Sequence, residues 1–254
     1  MKKNHIIIIG CSWCRNSSGP DYPFVMNQTL SWPEMLALDL GKDYRVLNYS
    51  INGNSNSVIL HLTERLCRDF KNHAAVFVLQ FTRALRQTFV QQGLDTLSDL
   101  ADIHKLHPSN HTDVQELAYY QELPYANGGD SWEFNELGLC SAWPGKLEHQ
   151  GGWLRKLYQD NLLYASEHQK ISDTVMQEAV MRQAKREVER AGIPVVAYSH
   201  TNFPEADLDF LDFVAHRDFI EMEDHVVDDG YHLNAQGNRI LLDNFIRPCI
   251  DTKI

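Results

Sequence analysis

Short apolar runs alternate along this chain with longer stretches of helical period, and each run ends in glycine or a polar turn. The strand over His5–Ile9, four isoleucines closed by Gly10, has the pattern of a central parallel strand buried on both faces. A polar loop with Gly19-Pro20 and Pro23 leads to Ser31-Trp32-Pro33-Glu34, where Ser31 reads as an N-cap, Glu34 as its capping-box partner and Pro33 as a first-turn proline. This helix is predicted to reach about Leu40 and to stop at Gly41. Tyr44–Tyr49 is a second strand, and Asn52-Gly53-Asn54-Ser55 a turn opening a helix through Ile59, Leu60, Leu62, Leu66 and Phe70. Ala74–Phe81 is a third strand and Ile193–Tyr198 a fourth. The fourth follows a helix whose exposed side carries Lys185, Arg186, Glu187, Glu189 and Arg190 and whose stop is Gly192. A weaker strand signal falls at Asp218–Met222. Ala235–Ile246 reads as the last helix, capped by Asn234, with Ile240, Leu241 and Phe245 inward and Pro248 ending it.

Buried strands alternating with amphipathic helices imply an α/β protein with a doubly wound parallel sheet, in one domain spanning residues 1–254. Residues 84–165 are the exception. They are rich in His, Trp, Tyr and Gly, lack a clean period and far exceed an ordinary α/β connection, so they read as an insertion or cap over the sheet edge, after the third strand.

Composition narrows the function. Lys and Arg number 23 against 34 Asp and Glu, a formal charge of −11 with no basic run, which argues against nucleic acid as a partner. With 43% apolar and 10% aromatic residues among 254, the chain can bury a full core. No window approaches a membrane span. Met1-Lys2-Lys3 before the isoleucines imitates a signal peptide, but the apolar run is too short for one, and a cytoplasmic protein is expected. Five cysteines, Cys11, Cys14, Cys67, Cys140 and Cys249, fit reduced thiols better than a disulfide framework.

Ligand crevices of open α/β sheets lie beyond the carboxyl ends of the strands. Gly10-Cys11-Ser12-Trp13 follows the first strand, Asn52-Gly53-Asn54-Ser55 the second and Thr82-Arg83-Ala84-Leu85-Arg86 the third, while Asp228-Asp229-Gly230-Tyr231-His232-Leu233-Asn234 precedes the final helix. A serine hydroxyl becomes a useful nucleophile when an imidazole takes its proton, and the imidazole works best with a carboxylate fixing its tautomer. Ser12, His232 and Asp229 can supply that set. The N–H groups of Gly53 and Ser12 can stabilise an oxyanion.

These blocks resemble the SGNH (GDSL-like) hydrolases. Gly10-Cys11-Ser12 is similar to the family's Gly-Asp-Ser block, with cysteine in place of Asp. Leu47-Asn48-Tyr49-Ser50-Ile51-Asn52-Gly53 is similar to the second block, and Asp229-Gly230-Tyr231-His232-Leu233-Asn234-Ala235-Gln236-Gly237 follows the fourth. The third block departs: Val78-Leu79-Gln80-Phe81-Thr82-Arg83 holds no oxyanion-hole asparagine. Thr82 aligns with it, and Asn54 or Gln80 can substitute. The resemblance implies a three-layer α/β/α, flavodoxin-like sheet and a Ser-His-Asp esterase, without metal or organic cofactor. Its expected substrates are small acyl esters, such as O-acetyl groups on carbohydrate.

Other readings compete. Ser12 alone fits a helix N-cap, and Gly53 alone a turn glycine. Asp228 has the wrong spacing to His232 for the family. Cys11-Ser12-Trp13-Cys14 after a buried strand has the spacing of thioredoxin-like redox sites, but a redox reading leaves Asp229, His232 and Gly53 unexplained. A non-catalytic binding relative is a third class, motivated by the altered third block. His104, His107 and His111 read as a surface cluster rather than a zinc site. Arg83 and Arg86 read as a solvated helix start. Trp132, Trp143, Trp153, Tyr119 and Tyr120 can line a sugar or acyl site, or form the insertion's own core.

Overall fold

The four isoleucines of β1 (His5–Ile9) are all fully buried, Ile6 and Ile8 on one face of a sheet and Ile7 and Ile9 on the other. The computed structural model describes residues 3–14, 30–50, 55–82, 87–90, 139–142, 167–201, 206–226 and 232–254; Ser12, 87–90, 139–142 and 167–173 are described by backbone path alone. β1 is flanked by β2 (Arg45–Asn48) and β3 (Ala74–Phe81). The sheet continues through β6 (Val195–Ser199) and β7 (Phe213–Val214) in the order β2-β1-β3-β6-β7. All four pairings are parallel. Counted by themselves, the five strands run 2-1-3-4-5, the flavodoxin-like doubly wound order.

Helices cover both faces. On one, Ile7 and Ile9 pack with Ile59, Leu62 and Leu66 of α2 (Asn56–Phe70) and Met181, Ala184 and Val188 of α3 (Glu167–Arg190). On the other, Ile6 and Ile8 pack with Trp32 and Leu36 of α1 (Trp32–Leu40) and with Leu241, Leu242, Ile246 and Ile250 near the C-terminus. α1 begins where its sequence says it should. The Glu34 carboxylate accepts hydrogen bonds from the Ser31 N–H and, at 2.9 Å, from the Ser31 hydroxyl, and Gly41 closes the helix at φ 57°. Gly192, at φ 69°, ends α3.

Apolar patterning alone does not set the register of β1, because a one-residue slip exchanges isoleucine for isoleucine. The carboxyl end supplies what the pattern lacks. Ile9 lies opposite Leu79, which brings Gly10 against Gln80; a Cβ on Gly10 would sit 2.7 Å from Gln80 Oε1 and 2.8 Å from Cys14 Sγ. Only a glycine fits that approach.

Two sequence expectations are corrected. Asp218–Met222 is not a strand: the edge strand is the two-residue β7, followed by the helical turn α4 (Ala215–Asp218) and a 3₁₀ turn at Met222–His225. Asp218 turns the chain by accepting the Val214 N–H at 2.6 Å. Phe219 and Met222 are buried while Ile220 between them is exposed, a spacing of three rather than two. Nor does Pro248 end the last helix. α5 (Ala235–Leu241) passes into a π turn at Leu242–Ile246, where the Arg247 N–H reaches the Leu242 carbonyl. α6 (Arg247–Asp251) then continues with Pro248 in its first turn, where no N–H is needed. Leu241 is buried as expected, whereas Ile240 and Phe245 are only partly so.

Within the stretch expected to be an insertion, β4 (Gln87–Val90) and β5 (Leu139–Ala142) form a separate antiparallel pair. The histidine and aromatic candidates between residues 91 and 166 lie outside the described residues, as do Arg83 and Arg86. No helix among the described residues is long and apolar enough to cross a membrane.

Candidate active site

After Gly10 the chain makes a 3₁₀ turn, Ser12–Cys14, closed by a hydrogen bond from the Cys14 N–H to the Cys11 carbonyl at 3.0 Å. Three side chains from other strands or their ends grip it. Gln80, fully buried on β3, accepts the Cys11 N–H at 2.8 Å through Oε1. Asn48, at the end of β2, donates from Nδ2 to the Cys14 carbonyl at 2.5 Å. His200, just past β6, lies against the Trp13 indole with ring centroids 4.8 Å apart. The turn carrying Ser12 is therefore held on the rim where the parallel strands end. The Ser12 side chain itself lies outside the described residues.

Thr82, the first residue beyond β3, is fully buried. Both of its backbone groups are taken by Asn56: Oδ1 accepts the Thr82 N–H at 2.9 Å and Nδ2 donates to the Thr82 carbonyl at 3.1 Å. Its hydroxyl has no hydrogen-bond partner among the described residues. A buried hydroxyl left unpaired costs stability, so this oxygen is a candidate for contact with a ligand. Asn56 opens α2 directly after Ser55, whose hydroxyl accepts the Val58 N–H as N-cap. Gly53 and Asn54 lie outside the described residues.

His232 is 6% exposed, two residues before Asn234, the N-cap of α5. Its neighbours show what the Leu233-Asn234-Ala235-Gln236-Gly237 sequence does physically. Leu233 bridges Val226, the Asn234 N–H bonds the His225 carbonyl at 2.8 Å, and Asn234 Oδ1 accepts the Gly237 N–H at 2.9 Å. A Cβ on Gly237 would lie 2.6 Å from the His225 carbonyl, so glycine allows α5 to close onto the 222–225 turn. Leu233 joins Cys11 and Trp13 in one buried apolar layer. Asp228 and Asp229 lie outside the described residues.

The thiols of the Cys-x-x-Cys motif face inward. Cys11 and Cys14 are fully buried and unbridged, with Cys14 Sγ 3.5 Å from Gln80 Oε1 and 3.6 Å from the Tyr198 hydroxyl. Burial pushes the Cys14 thiol far above its ordinary range, with Cys11 adding to the effect. Reactive redox cysteines need accessible sulfur and a depressed pKa; this sulfur has neither.

Gln80 is not a spare oxyanion donor. Its Nε2 donates to the Phe81 carbonyl at 2.7 Å and lies 2.9 Å from His200 Nδ1, so its donors are engaged within the protein. Its signal in the sequence was its isolation, as the one polar side chain of Ala74–Phe81. His200 and Asn56 carried no such signal.

Fold and rim together define a doubly wound α/β protein with the Ser12 turn, Thr82 and His200 gathered at the carboxyl ends of its parallel strands. No protein-family profile and no curated protein matches the chain. Among solved structures, that of TesA is similar, with a TM-score of 0.48 and 13% identity, covering 99% of this chain and 100% of that one. At that level of likeness no residue role passes from one chain to the other.

Proposed function

We propose that the protein is a serine hydrolase of SGNH type acting on carboxylic esters. The observation that carries this reading is the turn at Ser12, anchored by Gln80, Asn48 and His200 on the rim where β1, β2, β3 and β6 end. In this mechanism His232 deprotonates Ser12, which attacks the acyl carbonyl, while Asp229 orients His232 and stabilises its charged form. The N–H groups of Ser12 and Gly53, with Thr82 or Asn54 as a further donor, hold the oxyanion. His232 then protonates the departing alkoxide, and water releases the acyl group by the same route. Substrate choice falls to residues 84–165, acting as a cap, and the substrates are small acyl esters, O-acetyl groups on carbohydrate among them. The net charge of −11 favours a neutral ester over an anionic one.

The full burial of both Cys11 and Cys14 weighs against the redox alternative. Hydrolysis of p-nitrophenyl acetate by wild type, Ser12→Ala and His232→Ala tests the proposal. Turnover by wild type with near-complete loss in both variants is expected; equal turnover in all three would refute it.

A further inference from the structure

Resting on the reading of Ser12 as nucleophile, we propose that Gln80 is its positioning residue, one amide that fixes both chain neighbours of Ser12. The residue before the serine is held directly, through the Cys11 N–H on Gln80 Oε1 at 2.8 Å. The residue after it is held at one remove: Gln80 Nε2 lies 2.9 Å from His200 Nδ1, and the His200 ring lies against the Trp13 indole at 4.8 Å. Strand register makes this possible, because β3 pairs with β1 on one side and β6 on the other. A side chain at its carboxyl end reaches the turn after one neighbour and the residue after the other.

The orientation of the amide follows from its partners. The Cys11 N–H can only donate, so oxygen faces it and the NH₂ group faces Phe81 and His200. One amide hydrogen goes to the Phe81 carbonyl at 2.7 Å and the other to His200 Nδ1. The second lone pair of Oε1 meets the Cys14 thiol at 3.5 Å. All four hydrogen-bonding positions of a fully buried glutamine are thus used, two of them on the Ser12 turn. With Nδ1 assigned as acceptor, the ring proton of His200 falls on Nε2. The Phe81 carbonyl, 3.0 Å from the same Nδ1, receives its hydrogen from Gln80 instead.

The assignment separates Gln80→Met, which removes both anchors, from Gln80→Glu, which keeps an acceptor for Cys11 and removes the donor to His200. Full-length wild type and both variants are compared for the rate of fluorophosphonate labelling at Ser12, for kcat and KM with p-nitrophenyl acetate, and for Tm. Gln80→Met is expected to lower labelling and kcat by roughly 10- to 100-fold with KM little changed, the size of effect that sub-ångström misplacement of a nucleophile produces. Gln80→Glu is expected to fall between Gln80→Met and wild type. In ¹⁵N-edited imidazole spectra, wild-type His200 shows a bare Nδ1, and Gln80→Glu moves a proton onto it.

Folded variants with wild-type labelling and kcat overturn the proposal, whatever their Tm. If neither variant folds, the wild-type spectrum decides: a bare Nδ1 supports the link to His200 and a protonated Nδ1 overturns it. A wild type that does not label at Ser12 is a different failure, that of the hydrolase reading, and the proposal falls with it.

Discussion

Asn56 and Thr82 are joined by two hydrogen bonds, side-chain amide to backbone in both directions, at 2.9 and 3.1 Å. The pair ties the start of α2 to the end of β3, and Asn56 Nδ2 also lies 3.1 Å from Gln177 Oε1 on α3. Removing the amide strands two buried backbone groups. Each costs about 1–3 kcal/mol when left unsatisfied, so Asn56→Ala is expected to lower unfolding free energy by that amount or more in urea titration. Asn56→Asp keeps the acceptor for the Thr82 N–H and loses the donor. It should fall between the two.

Thr82→Val tests the hydroxyl separately. Because Oγ1 is buried without a partner among the described residues, exchanging it for a methyl group is expected to leave stability unchanged or raise it. If the hydroxyl donates to the oxyanion, the same substitution slows ester turnover by roughly 10²–10³. Calorimetry and steady-state kinetics on one variant thus read opposite signs. A stable variant with wild-type kcat removes Thr82 from the oxyanion site.

Gly10→Ala probes the close approach of β1 to β3. The added methyl would lie within 2.9 Å of Gln80 Oε1, Cys14 Sγ and Gln80 Cβ together, and in a packed interior such an intrusion costs about 1–3 kcal/mol. The expected result is a lowered Tm accompanied by slower labelling of Ser12, since relief of the clash displaces the Gln80 amide. Wild-type Tm would show that the contact is soft.

Glu34 should make stability depend on pH. It is 3% exposed, and burial raises its carboxyl above the ordinary 4.5 despite the opposing hydrogen bonds from Ser31. A raised native pKa means that the native state prefers the protonated form. The stability this group contributes is therefore complete below the unfolded value and is lost as pH rises through the native one. Glu34→Gln keeps a carbonyl for the Ser31 N–H and removes the titration. Relative to wild type, its unfolding free energy is expected to improve as pH rises above the ordinary carboxylate range; a constant difference would contradict the shift.

How far the sequence revealed the fold depended on how local each cause was. β1 and β3 are covered by apolar runs ending in a glycine or a polar residue, and their observed limits coincide with the expected ones. The Ser31–Glu34 cap and the glycine stops at Gly41 and Gly192 are likewise short-range chemistry. Asp218–Met222 misled because two buried residues, Phe219 and Met222, lie three apart in a short run that alternation also fits. Pro248 misled because a π turn ahead of it restarts the helix. At the site, Thr82 and His232 were marked by motif, and both are buried near the expected strand and helix ends. The Gln80–His200 and Asn56–Thr82 links span 120 and 26 residues. Strand register brings the first pair together, and the seating of the start of α2 beside the end of β3 brings the second.

Activation of Ser12 by His232 is read at the serine itself by covalent labelling. Native full-length protein is treated with a fluorophosphonate and the adduct is located by intact-mass and peptide mass spectrometry. One adduct per chain, on Ser12, absent in Ser12→Ala and strongly slowed in His232→Ala, is the predicted result. An unlabelled wild type, an adduct on another residue, or equal labelling in all three proteins would rule out Ser12 as a nucleophile activated by His232.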